Sequence, residues 1–110
     1  MTTPYERMRS IRYGFEVLGQ IVDDTGVPEA FRRRATVLRQ TYPSTSQVES
    51  HIENRSTGLP EDWSVIFEQT LALISEIQLR RWGSGETQMR ILYTLRHYPD
   101  RDLISLLTQI

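Results

Sequence analysis

The side chains of this 110-residue sequence that could bind or react are mainly arginines. All 13 of its basic residues are arginine, and it has neither lysine nor cysteine. Without lysine there is no Schiff base and no phosphate-loop lysine, and without cysteine there is no thiol nucleophile, disulfide or cysteine-ligated metal. Gly83-Ser84-Gly85 precedes a predicted helix, and without that lysine we interpret it as a connector between helices.

Two histidines, His51 and His97, could serve as a general base. No Gly-x-Ser-x-Gly turn marks a nucleophile, and no His-Glu-x-x-His or calcium-loop pattern marks a metal site. His97 suits the C-terminal end of a helix, where a cation is favourable. The sequence therefore predicts no catalytic residue, no cofactor and no metal site, and a protein that is not an enzyme.

A first candidate binding site is the run Arg80-Arg81-Trp82, at the end of a predicted long helix. Arginine and tryptophan are among the residue types that dominate protein interfaces. We expect a partner-binding surface at these three residues. The alternative is that Trp82 only covers the end of its own helix.

A second candidate lies in the second predicted helix, which carries Arg32, Arg33, Arg34 and Arg39. Arg32 and Arg39 are seven residues apart and share a face. The first two helices and their glycine-containing turn could form a helix-turn-helix, with this cluster near nucleic-acid phosphates. Alternatively, the arginines pair with acidic residues of this chain, for example Glu68 or Glu76.

Charge is distributed unevenly, although the formal net charge is only -1. Residues 41–79 hold 1 arginine against 6 acidic residues, whereas residues 1–40 hold 7 against 5 and residues 80–110 hold 5 against 3. Asp23-Asp24 falls at a helix C-terminus, where negative charge is unfavourable. We expect this pair to meet an arginine of this protein or of a partner.

Helical periodicity and helix-end signals predict six helices and no strand, hence an all-α fold. Proline and acidic residues start the helices near Thr3-Pro4, Pro28-Glu29 and Pro60-Glu61. Ser44 with Gln47 forms a capping box, and Asp100 caps the last helix. Gly26 is expected to end the first helix in a left-handed conformation, Pro43 to end the second, and residues 54–58 to form a linker. The predicted apolar positions, in helix order, are Met8, Ile11, Phe15, Leu18 and Val22; Phe31, Ala35, Leu38 and Tyr42; Val48 and Ile52; Trp63, Ile66, Phe67, Leu71, Ile74 and Ile77, widened by Val65, Leu73 and Leu79; Met89, Leu92 and Leu95, with Tyr93 as a further candidate; and Leu103, Ile104, Leu106, Leu107 and Ile110.

The two halves of the chain follow the same order of elements: a proline-started long helix, a breaker, a medium helix, Tyr-Pro and a capped short helix. At an offset of 56, Arg34 aligns with Arg90 and Tyr42-Pro43 with Tyr98-Pro99. We interpret residues 3–53 and 59–110 as a degenerate repeat of a three-helix unit. Both units are expected to pack into a single domain spanning residues 1–110.

Residues 2–43 resemble a family of small, uncharacterised proteobacterial proteins that open Thr-Thr-Pro-x-Glu-Arg-x-Arg and end Leu-Arg-His-Tyr-Pro. Here the opening is Thr2-Thr3-Pro4-Tyr5-Glu6-Arg7-Met8-Arg9. The first half departs from the family ending, which is found at Leu95-Arg96-His97-Tyr98-Pro99 in a degenerate second copy over residues 60–108. The resemblance implies a bacterial or phage origin and supplies no activity, cofactor or catalytic residue.

These observations predict a protein-binding module that acts by stoichiometric contact, of the kind that serves as an inhibitor, immunity factor or anti-defence protein in bacteria and phages. The alternative is a nucleic-acid-binding regulator. We expect a cytoplasmic protein without a membrane span, because the start resembles no signal peptide and no apolar run is long enough. The wide apolar face of the fourth predicted helix leaves a homodimer open.

Overall fold

The computed structural model describes residues 4–44, 46–48, 50 and 61–98, with side chains from residue 9 and, in the second half, from residue 62. The fold is all-α, and the described residues contain no strand. The helices are α1 (Pro4–Asp23), α2 (Glu29–Thr41), α3 (Glu61–Arg80) and α4 (Gly85–Leu95). Residues 46–48 are also helical. The cap at Thr3, Ile52, the predicted linker and the helix after Asp100 lie outside the described residues.

Most predicted helix ends are confirmed, because they depend on local signals. Pro28 stands immediately before α2, and α2 ends at Thr41, one residue before Tyr42-Pro43. The capping box after α2 is present: the Gln47 amide donates to Ser44 Oγ at 3.1 Å, and the Ser44 amide donates to Gln47 Oε1 at 2.8 Å.

The turn after α1 differs from the prediction, because Gly26 does not adopt a positive φ. Its amide donates to Asp24 Oδ1 at 2.9 Å, so the aspartate side chain shapes this turn. The positive φ values among the described residues belong to Arg81 (56°) and Gly83 (88°), in the turn between α3 and α4.

The four helices form an antiparallel ring in which each packs against its neighbours in chain order and α4 closes onto α1. Ser10 Oγ of α1 donates to the Thr94 carbonyl at 2.7 Å, whereas Asp24 at the other end of α1 contacts Thr87. These two contacts show that α1 and α4 run in opposite directions. The α2–α3 side of the ring is consequently opposite its α1–α4 side.

Phe67 lies at the centre of the core and is fully buried. Its ring is edge-on to Tyr42 at 5.6 Å and to Tyr98 at 6.1 Å, measured between centroids. The two tyrosine hydroxyls are 2.9 Å apart, and that of Tyr42 also donates to the Ile11 carbonyl at 2.6 Å. The predicted repeat pairs these two tyrosines at an offset of 56, and the repeat itself stays a prediction.

The predicted apolar stripes of α1 and α3 are partly wrong. Phe15 is 38% exposed, whereas Val17 and Ile21, which the stripe left out, are fully buried. In α3, Val65 and Leu79 are 47% and 76% exposed, whereas Leu73 is fully buried. Because α1 contacts α2, α3 and α4, its buried face is broader than a single apolar stripe and is rotated from the predicted one.

The predicted stripe of α4 is wrong in register. Met89, Leu92 and Tyr93 are each about half exposed, and Leu95 is partly buried against the core. The buried residues of α4 are Thr87, Ile91 and Thr94. Two core positions are therefore threonines, whose hydroxyls bond to Asp24 and to the Arg90 carbonyl.

Candidate functional site

The two predicted arginine clusters meet at one surface through an aromatic side chain, Phe31. Phe31 lies at the start of α2, where the antiparallel packing brings it to the end of α3. Its ring is edge-on to Trp82, with centroids 4.8 Å apart. The Arg34 guanidinium lies 5.0 Å from the Phe31 centroid, and the Arg80 guanidinium lies 5.8 Å from the Trp82 ring. We call Arg34, Phe31, Trp82 and Arg80 the arginine–aromatic stack.

Hydrogen bonds fix the position of Trp82 in the turn between α3 and α4. Its amide donates to the Ile77 carbonyl at 3.2 Å, and Gln88 Nε2 donates to the Trp82 carbonyl at 2.7 Å. Trp82 is only partly buried. It packs against the core at the end of α3 without being fully buried, so covering the helix end and contacting a partner are compatible roles.

Asp24 ties this turn to the end of α1. Its Oδ2 accepts from the Ser84 amide at 2.8 Å and from the Thr87 hydroxyl, while its Oδ1 accepts from Gly26. The hydrogen bond from Thr87, followed by that from the Ser84 amide, lowers the pKa of the Asp24 carboxyl. Among the described residues the partners of Asp24 are therefore the amides of Gly26 and Ser84 and the Thr87 hydroxyl, not an arginine of this chain. That Asp23-Asp24 meets an arginine of a partner stays a prediction.

Arg80 and Arg81 differ in their surroundings. Arg80 Nε lies 3.2 Å from Glu76 Oε1, one helical turn earlier, and both side chains are substantially exposed. Arg81 is exposed and has a left-handed backbone, because it follows the last residue of α3. The three residues of the predicted partner site are thus close together, and Arg80 and Trp82 belong to the stack.

The arginines of α2 divide between two sides of the helix. Arg32 Nε donates to the Val27 carbonyl at 3.0 Å, and Arg39 lies 5.2 Å from the Phe15 ring of α1. Arg39 therefore lies against α1, whereas Arg32 bonds to the turn that joins α1 and α2. Arg33 is 3.8 Å from Glu29, and Arg33 and Arg34 line a shallow depression that reaches Gln69 of α3.

The sequence pattern predicts Phe31 only as a core residue, and the structure shows it partly buried against the core as well as in the stack. A local signal was present, because Phe31 and Arg34 are three residues apart and adjacent on a helix surface. The contact between Phe31 and Trp82 had no local signal, since it depends on how α2 packs against the end of α3.

Within the part of the chain that the structure describes, no three histidine, aspartate or glutamate side chains lie together as a metal site would require. None of the described helices is both long and apolar enough to cross a bilayer.

The fold and this surface define a small all-α helical protein in which two exposed arginines flank a partly buried pair of aromatic rings. Comparison of the chain with protein-family models, curated proteins and solved structures found no match.

Proposed function

We propose that this protein acts without chemistry of its own, by stoichiometric binding of another protein through the arginine–aromatic stack. The observation that carries the proposal is the placement of two guanidiniums, Arg34 and Arg80, on one pair of contacting aromatic rings. Arginine and large aromatic residues supply most of the energy of many protein interfaces.

The stack favours a partner with an acidic surface. A guanidinium packed on a ring loses part of its conformational freedom before binding, and its N–H groups remain at its edge, where they bind carboxylates. The Glu76 pair of Arg80 is exposed, and exposed pairs of this kind are worth at most about 1 kcal/mol. A carboxylate of the partner can therefore replace Glu76 at low cost.

A role as a bacterial or phage inhibitor, immunity factor or anti-defence protein suits a small binding protein of this kind, and we include it as part of the proposal. The lack of cysteine suits the cytoplasm, where disulfides are rare, and this location is also part of the proposal.

The test is capture from a nuclease-treated lysate of the source organism, followed by calorimetry with the purified captured protein. We expect a defined stoichiometry and a loss of affinity of about tenfold or more when Arg34→Ala and Arg80→Ala are combined. Arg12→Ala is the matched control, because Arg12 is also an exposed arginine, paired with Glu16 on α1 and away from the stack.

Equal affinity for the wild type and the double variant would contradict the proposal. So would capture that disappears with nuclease treatment. A gel-shift series showing specific binding with a steep salt dependence, lost on Arg32→Ala and Arg33→Ala, would instead support the nucleic-acid alternative.

A further inference from the structure

The side of the ring formed by α1 and α4 carries apolar side chains that the core does not use. On α4, Met89, Leu92 and Tyr93 are 50%, 53% and 52% exposed. An 11-residue helix with three large, half-exposed apolar side chains is unusual for a face in contact with water only.

Two adjoining depressions follow the seam between α1 and α4. The first is lined by Tyr13 and Val17 of α1 and by Met89 and Tyr93 of α4, among others, and the second continues from Tyr13 and Tyr93 towards Arg96. The two tyrosines line both, so the depressions form one groove. Tyrosine suits such a position, because its ring is apolar and its hydroxyl can remain hydrated.

The two ends of this groove differ in charge. Since α1 and α4 are antiparallel, Arg9 lies beside Arg96 and His97 at one end, and Glu16 lies beside Glu86 and Arg90 at the other. Tyr13, Met89 and Tyr93 lie between the two ends.

Glu16 and Glu86 already form pairs with arginines on their own helices, Arg12 and Arg90, at 3.9 Å and 3.3 Å. All four side chains are at least 44% exposed. Such pairs between exposed residues four apart are worth about 0.3–0.5 kcal/mol, so they can be exchanged for other partners at little cost.

We propose that this α1–α4 face binds a second copy of the chain and makes the protein a symmetric dimer. A two-fold axis through the middle of the groove would place Arg96 of one copy beside Glu86 of the other, which can leave its exposed pair with Arg90, and would place the apolar middle on itself. Any other partner would need to reproduce this alternation of basic, apolar and acidic groups, whereas a second copy has it by construction.

The dimer is independent of the proposed function. The arginine–aromatic stack lies at the start of α2 and the end of α3, and neither its residues nor Gln88, which bonds to Trp82, line the α1–α4 groove. A dimer paired through α1 and α4 would leave both stacks exposed and would bind two partner molecules.

The site on α4 replaces the site that the sequence suggested for a homodimer. The wide apolar face of the fourth predicted helix, which is α3, leaves a homodimer open, but Phe67, Leu73, Ile74 and Ile77 of that helix are fully buried in the core. They are used within one chain.

The test is a charge exchange between Glu86 and Arg96, read out as mass in solution by analytical ultracentrifugation. We expect twice the mass of the chain for the wild type, and dissociation constants raised by about tenfold or more in Glu86→Arg and in Arg96→Glu. In each single variant, like charges face each other across the two-fold axis.

Mixing the two single variants is the decisive measurement. A mixed dimer brings opposite charges together at both ends, so we expect the mixture to dimerise more tightly than either variant alone. The chain that carries both exchanges should dimerise with itself for the same reason. Arg34→Ala is the control and should dimerise like the wild type.

Three outcomes would overturn the proposal: a wild type that stays monomeric at millimolar concentration, single variants that dimerise as well as the wild type, or a mixture that stays monomeric. Met89→Asp tests the same face without altering a helix end, and because Met89 is half exposed the fold should persist. A Met89→Asp variant with unchanged dimer affinity would also overturn it.

Discussion

Among individual residues, Tyr42 and Tyr98 show how the sequence separates partners that the fold brings together. Each follows a helix and precedes proline, and their hydroxyls meet 2.9 Å apart in the core. Both side chains are less than 9% exposed. Burial is the main cause that raises the pKa of each hydroxyl, and for Tyr98 the hydrogen bond with Tyr42 opposes it.

The tyrosine pair should make stability fall at alkaline pH. The fold holds both hydroxyls neutral, so their contribution is complete below the pKa of tyrosine in the unfolded chain, about 10, and is lost as the pH rises above it. The chain has no lysine or cysteine, so tyrosines are the main side chains that titrate between about pH 9 and 12. Urea unfolding of the wild type should therefore give a falling free energy of unfolding across this range.

The matched variant is Tyr42→Phe combined with Tyr98→Phe. It should cost about 1–3 kcal/mol at pH 7, from lost hydrogen bonds, and should flatten the alkaline decline. The single variants complete a double-mutant cycle, in which we expect a coupling of about 0.5–1.5 kcal/mol between the hydroxyls. A decline of unchanged slope in the double variant would show that other groups cause it.

Among elements, helix ends could be predicted from the sequence, and the buried face of α4 could not. The ends depend on prolines and caps within a few residues, such as Pro28 and the Ser44–Gln47 box, and these are local. The buried face of α4 includes Thr87, whose hydroxyl bonds to Asp24, a residue 63 positions earlier in the chain. A hydropathy pattern assigns threonine to the surface and cannot include a partner so distant in sequence.

The register of α4 predicts unequal effects for two apolar truncations on the same helix. Ile91→Ala should lower the free energy of unfolding by about 2–4 kcal/mol, because Ile91 is fully buried. Met89→Ala should change it by less than about 0.5 kcal/mol, because Met89 is half exposed. Denaturation followed by circular dichroism at two protein concentrations would measure both and reveal any contribution from association. A larger loss for Met89→Ala than for Ile91→Ala would mean that the helix is turned as the hydropathy stripe predicts, and equal losses would contradict the burial difference between the two residues.

The arginine–aromatic stack also depends on how helices pack, although each of its two arginine–aromatic pairs is local in the sequence. Arg34 follows Phe31 by three residues and Arg80 precedes Trp82 by two. Only the packing of α2 against the end of α3 joins them, and that packing follows from the whole core rather than from either segment.

At the scale of the whole molecule, contacts between the two halves close both ends of the ring. At one end, Asp24 of the first half binds Ser84 and Thr87 of the second, and Gly26 lies against Gly83. At the other end, Tyr42 and Tyr98 meet beside Gly14 of α1. A side chain at position 14 would reach both tyrosines, so the absence of one allows α1 to approach the pair.

Two glycines of α1 therefore provide a test of how the halves are joined. In Gly14→Ala, the new methyl group would collide with the Tyr42 hydroxyl and lie 2.7 Å from Tyr98 Cε1, and neither buried ring can move freely. In Gly19→Ala, the methyl group would meet only the exposed side chain of Arg39, at 3.4 Å or more. Both substitutions gain up to about 1 kcal/mol of helix propensity, so the difference between them isolates the packing.

We expect Gly14→Ala to lower the free energy of unfolding by about 1–3 kcal/mol and Gly19→Ala to raise it by about 0.5–1 kcal/mol. Thermal and urea denaturation of both variants would measure this. Adding Tyr98→Phe to Gly14→Ala should recover little of the lost free energy of unfolding, because the contact with the ring carbon Cε1 remains. Adding Tyr42→Phe instead should recover part of it, because this change removes the hydroxyl that the methyl group meets. If Gly14→Ala were instead as stable as Gly19→Ala, the tyrosine pair would not lie against α1, and the junction of the two halves would have to be placed elsewhere in the core.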